Sequence, residues 1–281
     1  MAPLNTFSRE FGLVGVGVHS GKPVRLNLVP SEDGGIVFRR SDLGGIETPL
    51  ASAGFEARNS TAVVGDRFRV LTVEHLLATL LANGVGSAVI VLDADEVPIM
   101  DGSAQPFVRA LVEAGTRALA APGRGLRIAR PFAVSDGGSS IVAEPTSGED
   151  VLDLSYTIEY PHPAIGCQSL SVRLSPQAFA REIAPARTFG FLGDVEELRR
   201  RGLALGASYD NTVVLDADKV VSGPLRFPDE FVRHKLLDLV GDLALLGRPL
   251  AGRVTAHKAG HRLHLEAVKF LLANPDYGEP F

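Results

Sequence analysis

The sequence predicts an α+β fold made of two related halves, and three observations predict it. In each half, strand-forming runs come before helix-forming runs instead of alternating with them, which argues against a doubly wound sheet. The order of elements repeats on either side of Ala121-Pro-Gly-Arg-Gly125, where proline and glycine interrupt regular structure. In each half an apolar helix carrying a histidine runs to a glycine and then into a strand: His75 with Gly84, and His234 with Gly247. Domains are therefore expected at 1–122 and 126–281.

Residues 13–29 read as two strands around Ser20-Gly21-Lys22, because apolar and polar side chains alternate after the turn. Ile36–Arg40 reads as another strand. A helix is expected at about 72–82, stopped by Asn83-Gly84. Ser87–Asp93 is apolar enough for a buried strand, and Asp101-Gly-Ser is a turn that caps a helix at about 104–115. The second half offers strands near 126–134, 139–144, 151–159 and 168–174, then a helix at 176–182. Residues 191–217 look like an insertion with a helix from Asp194 and a strand near 212–216. A long helix at 229–246 ends at Gly247, and the strand Gly252–His257 follows.

A chain of 281 residues, 45% hydrophobic, has material for two domains with a substantial core. The formal charge of −5 leaves no basic footprint for nucleic acid. The single cysteine, Cys167, excludes an internal disulfide and a cysteine-rich metal cluster, and agrees with a reducing cytoplasm. The first residues lack a charged-then-apolar leader pattern, and no apolar run reaches the ~18 residues of a membrane span. A cytoplasmic location is expected.

Chemistry concentrates on the two histidine-bearing helices. Residues four apart share a helix face, so His234, Asp238 and Asp242 form one polar row on an otherwise largely apolar helix. Such a row is costly to bury unless a charge sits against it. Catalytic zinc takes three protein ligands, commonly histidine and carboxylate, and keeps a position for water. His75, His234 and Asp238 fit that set. His-x-x-x-Asp alone also suits an exposed polar face; the apolar surroundings favour the metal. Glu74, about 100° round the helix from His75, is placed to serve as a general base, although a glutamate near a helix start also suits the dipole. His261, on a loop or strand end after Gly260, is a candidate acid partner, but proximity does not choose among His257, His261 and His264. Thr188 has a hydroxyl for a carbonyl oxygen, and Phe189 a ring to pack on substrate. His19 and His162 are weaker candidates for polar contacts.

Seven segments in chain order carry a resemblance: Gly15-Val-Gly-Val-His-Ser-Gly, Thr72-Val-Glu-His-Leu, Pro98-Ile-Met-Asp-Gly-Ser-Ala, His162-Pro-Ala-Ile, Ala186-Arg-Thr-Phe-Gly-Phe, Phe231-Val-Arg-His-Lys-Leu-Leu-Asp and Gly260-His. The chain resembles the zinc-dependent UDP-3-O-acyl-N-acetylglucosamine deacetylases, which catalyse the committed step of lipid A synthesis in Gram-negative bacteria. The resemblance implies two related α+β domains, each a sheet packed on helices, with the active site between them. It implies inserts at about 40–62 and 190–217, the second forming a hydrophobic passage for an acyl chain. It implies His75, His234 and Asp238 as Zn²⁺ ligands, Glu74 as base, His261 as protonated partner and Asp242 as its orienting carboxylate. Thr188 and Lys235 would contact the reacting amide or sugar, and Phe189 the glucosamine. Phe191, Leu198 and Leu203 would meet the acyl chain. The implied partner is the acylated UDP-sugar alone, bound by a monomer. A metal-stabilised binding protein without turnover, or a zinc amidohydrolase for another acylated sugar, are the alternatives; acetate release and its loss on chelation separate them.

Overall fold

A computed structural model describes residues 3–122, 125–147 and 150–281. The expected break at Ala121–Gly125 falls partly on residues 123–124, outside the described residues. The first half opens with β1 (Pro3–Phe7), β2 (Phe11–Val16), β3 (Pro23–Pro30), β4 (Gly35–Arg40) and β5 (Ile46–Pro49). Three short strands follow: β6 (Gly54–Ala57), β7 (Thr61–Val64) and β8 (Arg69–Leu71). Helix α1 (Glu74–Ala82), β9 (Ser87–Leu92), α2 (Gln105–Ala114) and β10 (Thr116–Pro122) complete it.

The second half begins with β11 (Leu126–Ile128), β12 (Phe132–Asp136), β13 (Ser139–Glu144), β14 (Leu152–Tyr160) and β15 (Gly166–Arg173). Then come α3 (Pro176–Ala178), continued by a π turn over Phe179–Ile183, β16 (Phe189–Phe191), α4 (Val195–Arg200) and β17 (Val213–Leu215). Helix α5 (Glu230–Leu243), β18 (Leu250–His257), α6 (His261–Ala273) and β19 (Gly278–Pro280) close the chain.

The two main sheets share one topology. In the first, β3 pairs antiparallel with β2 and β9, while β4 pairs parallel with β9 and antiparallel with β5. In the second, β13 pairs antiparallel with β12 and β18, while β14 pairs parallel with β18 and antiparallel with β15. The repeated strand–helix order of the sequence is therefore a repeated sheet. Additional elements enter both halves at the same place, between the fourth sheet strand in chain order (β5 or β15) and the long helix. In the first half these are the antiparallel strands β6, β7 and β8; in the second, α3, β16, α4 and β17.

Helices α1 and α5 pack on each other between the sheets. Leu76, Leu77 and Leu80 of α1 and Leu236, Leu237, Leu239 and Val240 of α5 are buried, as expected of helices covered on all sides. Each such side chain contributes about 1.5–3 kcal/mol of burial. Their backbones touch at Gly241, where an added Cβ would lie 2.0 Å from the Glu74 carbonyl oxygen.

The structure corrects several expectations. His261 opens helix α6; it does not sit on a loop or strand end. The strand expected at 126–134 is split into β11 and β12 around Pro131, which has no N–H for a ladder. The helix expected at 176–182 is present over 176–183, with its later part wound as a π-helix. Strands β1, β5 to β8, β10, β16 and β19 were not anticipated; β5 lies within 40–62 but belongs to the main sheet. The cap of α2 is Ala104 without a side-chain bond, while Ser103 Oγ accepts from Gln105 N at 3.2 Å. Among the described residues no helix is long and apolar enough to cross a membrane.

Candidate active site

Glu74 and His75 occupy the first turn of α1, and each is only 3% exposed. The chain enters that turn through Thr72, whose φ of 57° is unusual for a β-branched residue. Its hydroxyl donates to Glu96 Oε1 at 2.9 Å, and the same buried carboxylate accepts from the backbone N–H groups of His19 and Ser20. Across the α1–α5 contact, His234, Asp238 and Asp242 form the expected row, and all three are buried.

His75, His234 and Asp238 present donor atoms within 4.8 Å of one another. Asp238 Oδ1 lies 3.4 Å from His234 Nε2 and 3.8 Å from His75 Nε2, too far for good hydrogen bonds and suited to a shared ion. His234 Nδ1 donates to the Ala186 carbonyl at 3.1 Å, which leaves Nε2 as a lone-pair donor. His75 Nδ1 is buried and has no hydrogen-bond partner among the described residues. Burial, then the neighbouring His234, push His75 down to about 3, so its ring is neutral, the form that binds metal. Burial would raise Asp238, but Lys235, His234 and His261 outweigh it and keep the carboxylate ionised. Neutral imidazoles, an ionised carboxylate and their spacing fit a bound divalent cation.

Beside this set, His261 Nε2 lies 3.9 Å from Glu74 Oε1 and 3.8 Å from Asp238 Oδ2. Its other nitrogen, Nδ1, donates to Asp242 Oδ2 at 2.8 Å. Burial and the N-terminus of α6 both oppose a cation here. Asp242 and Asp238 overcome the burial and hold His261 up at about 9. Burial pushes Glu74 up to about 8, opposed by His261 and reinforced by Asp242 and Asp238. A bound cation would pull Glu74 back toward its ionised form. Thr61, which the sequence did not single out, donates its backbone N–H to Glu74 Oε2 at 3.1 Å and its hydroxyl to Asp242 at 2.5 Å. The structure also separates the nearby histidines: His261 faces Glu74, His264 is fully buried behind it, and His257 is exposed.

These groups form one wall of a cavity of about 540 Å³ that continues between β16, α4 and β17. Thr188, Phe189, Phe191, Lys235 and Leu198 line it, as do Leu192 and Val195. Leu203 does not; it borders a neighbouring groove, and Leu205 is half exposed. Lys235 Nζ donates to Asp238 Oδ2 at 2.8 Å and lies 5.7 Å from the Phe189 ring centroid. Burial lowers Lys235, but Asp238 more than compensates and holds the ammonium above its usual range. His19 lines the cavity. His162 does not; its Nε2 donates to the Asp216 carbonyl at 2.9 Å and its Nδ1 accepts from Ala164 N.

Buried His/His/Asp donors beside a Glu–His pair, at the end of a largely apolar cavity, are an arrangement suited to metal-dependent hydrolysis. More narrowly, the chain belongs to the UDP-3-O-acyl N-acetylglycosamine deacetylase family, whose sequence model matches residues 4–273. It is 42% identical over 274 residues to the UDP-3-O-acyl-N-acetylglucosamine deacetylase of Thermodesulfovibrio yellowstonii, covering 97% of this chain and 92% of that protein. It is 44% identical to the protein of the same name from an Anaeromyxobacter species (96% and 88% covered) and 42% identical to that of Saccharophagus degradans (99% and 93%).

Proposed function

We propose that this chain is a zinc-dependent UDP-3-O-acyl-N-acetylglucosamine deacetylase, which hydrolyses the 2-acetamido group and releases acetate in the committed step of lipid A biosynthesis. The observation that carries the reading is the convergence of His75, His234 and Asp238 with Glu74 and His261 on one cavity wall. Two imidazoles and a carboxylate suit zinc. When bound there, zinc supplies a Lewis acid and a water activated near neutral pH.

The chain's own residues do the rest. Glu74, oriented by the Thr61 N–H, takes a proton as water adds to the acetyl carbon. His261, kept cationic by Asp242, and the Thr188 hydroxyl face the oxygen that gains negative charge. The carbon–nitrogen bond then breaks. The amine takes its proton from His261 or from protonated Glu74, and acetate leaves. Lys235 and Phe189 hold the sugar, while Phe191, Leu198 and the apolar side chains of the 190–217 insert hold the acyl chain. Two domains, 1–122 and 126–281, frame the site, with strands β6 to β8 as the insert of the first. A UDP-linked substrate fits a cytoplasmic location, and we read the enzyme as a monomer.

The test is acetate release from UDP-3-O-acyl-N-acetylglucosamine by purified protein, before and after chelation, with circular dichroism as a fold check. Release that stops on chelation and returns with zinc is expected. A folded, zinc-loaded protein that releases no acetate would overturn the reading.

A further inference from the structure

His261 and His264 are three residues apart on the first turn of α6, so both rings lie on one side of the helix. That side meets Asp242 of α5. Asp242 Oδ2 is 2.8 Å from His261 Nδ1 and 2.7 Å from His264 Nδ1. Its other oxygen accepts from the Thr61 hydroxyl at 2.5 Å. An ionised carboxylate only accepts, so Nδ1 carries the proton in each ring. The far nitrogen of His264, Nε2, lies 3.0 Å from the Tyr156 hydroxyl, which is also 2.8 Å from the Ala259 carbonyl oxygen. Ala259 stands two residues before His261; the single Tyr156 proton is shared between this carbonyl oxygen and His264 Nε2, so the phenol bridges the His264 ring and the segment that delivers His261. Both Tyr156 and His264 are buried, and neither lines the substrate cavity.

A second histidine on the same carboxylate oxygen is more than core filling. A carboxylate held on one oxygen by Thr61 and on the other by His261 is only as fixed as those two cavity-side groups, and it moves when His261 moves. His264 adds a third anchor from the buried side, backed by Tyr156 and independent of His261. We infer that His264 is a positioning residue for the deacetylase reaction: with Tyr156 behind it, it locks Asp242 in the orientation that aims His261 Nε2 at Glu74 and the reacting amide. The inference rests on the functional reading above and adds a layer to it. The chain runs Tyr156, His264, Asp242, His261, from the buried face of the second sheet to the cavity. It also explains why His261 can stand at a helix N-terminus without a side-chain cap and still keep one orientation.

The experiment compares kcat and KM for acetate release in wild type, His264→Phe and His264→Asn, with metal content and thermal midpoint measured alongside. Outer partners of this kind typically matter about 10- to 100-fold in activity. His264→Phe is expected to lose kcat in that range, with KM and metal content unchanged, because the ring touches neither substrate nor the metal donors. His264→Asn, whose side-chain N–H lies near the position of ring Nδ1–H, is expected to recover most of the loss. Full kcat in His264→Phe, or an Asn variant no better than Phe, overturns the inference. If His264→Phe does not fold, His264→Gln, which sets the amide one carbon too far, replaces it with the same expected loss. A second readout needs no turnover: proton NMR of the hydrogen-bonded imidazole N–H groups. Two downfield signals are expected in wild type, and in the Phe or Gln variant the His261 signal should move. A His261 signal that stays in place contradicts the positioning role, whereas a wild type that releases no acetate contradicts only the functional reading.

Discussion

Glu74 and His75 are adjacent on one helical turn, yet they face different tasks. His75 points its ring toward His234 and Asp238, while the Glu74 carboxylate turns to Thr61 and His261. Glu74→Ala should therefore keep its metal and lose about 10²–10⁴-fold in rate, the usual worth of a general acid–base group. Metal content and kcat on the same sample check this; near-normal turnover in folded, metallated Glu74→Ala would remove it as the base. The charge on His261 gives a second prediction. On the proposed reading His261 works as the cation; its neighbouring carboxylates hold it up at about 9 and a bound cation would pull it down, so activity should fall as pH rises toward that value. Asp242 is the largest upward influence on it, with Asp238 and Glu74 also facing the ring. Asp242→Asn removes one negative charge, so the alkaline limb should move to lower pH with a lower maximum. A limb that stays in place in Asp242→Asn, or full activity in His261→Ala, would mean another group sets it. The row His234–Asp238–Asp242 was legible because four-residue spacing on an apolar helix is a local signal. Thr61 was not, since it meets Asp242 across 181 residues of sequence and belongs to no motif of its own. Spacing alone did not choose His261 over His264 and His257; the resemblance pointed to His261, and burial and direction are what separate the three in physical terms.

Among the elements, the crossing of α1 and α5 sets the spacing of His75, His234 and Asp238, because each helix supplies part of that group. Gly241 lets the backbones meet at Glu74. Gly241→Ala should push the helices apart, cost about 1–3 kcal/mol as an overpacked core does, and weaken metal binding although the residue is no ligand. Denaturant melts and metal content together test this; an unchanged melt would mean the helices are free to shift. Around β16 and α4, Leu192, Val195 and Leu198 face the cavity, which suits an acyl chain. Shortening that chain should lower kcat/KM stepwise, by up to about 0.8 kcal/mol for each methylene no longer buried. Equal turnover of an acetyl-bearing analogue would rule out the passage. Helix α6 shows why some elements stayed hidden. Its start has Gly260 at the cap and no Ser, Thr, Asp or Asn signal, so His261 looked like a loop residue. Its buried Leu263, Leu265, Val268 and Leu271 did carry a helical spacing. The short strands β6 to β8 pair with one another across a few residues each, too briefly for alternation to mark them.

At the scale of the whole molecule, two sheets of the same topology enclose helices that bring residues from both ends of the chain to one point. The repeat was readable as an order of elements, because Gly84 and Gly247 end corresponding helices with φ of 67° and 69°. How the halves meet was not readable, since it depends on contacts between residues far apart in sequence. The buried apolar core runs through both halves well beyond the metal donors, so chelation should abolish activity while the fold persists, with a lower thermal midpoint from the lost binding free energy. Loss of secondary structure on chelation would instead mark a structural metal. The central claim is that one metal joins α1 to α5 through His75, His234 and Asp238. Anomalous X-ray scattering at the zinc edge, from crystals of the purified protein, tests it most directly. A single strong peak about 2.0–2.2 Å from an imidazole nitrogen of His75, one of His234 and a carboxylate oxygen of Asp238 is the predicted result. A peak held by other residues instead, or zinc-loaded crystals with none at these three, would contradict it.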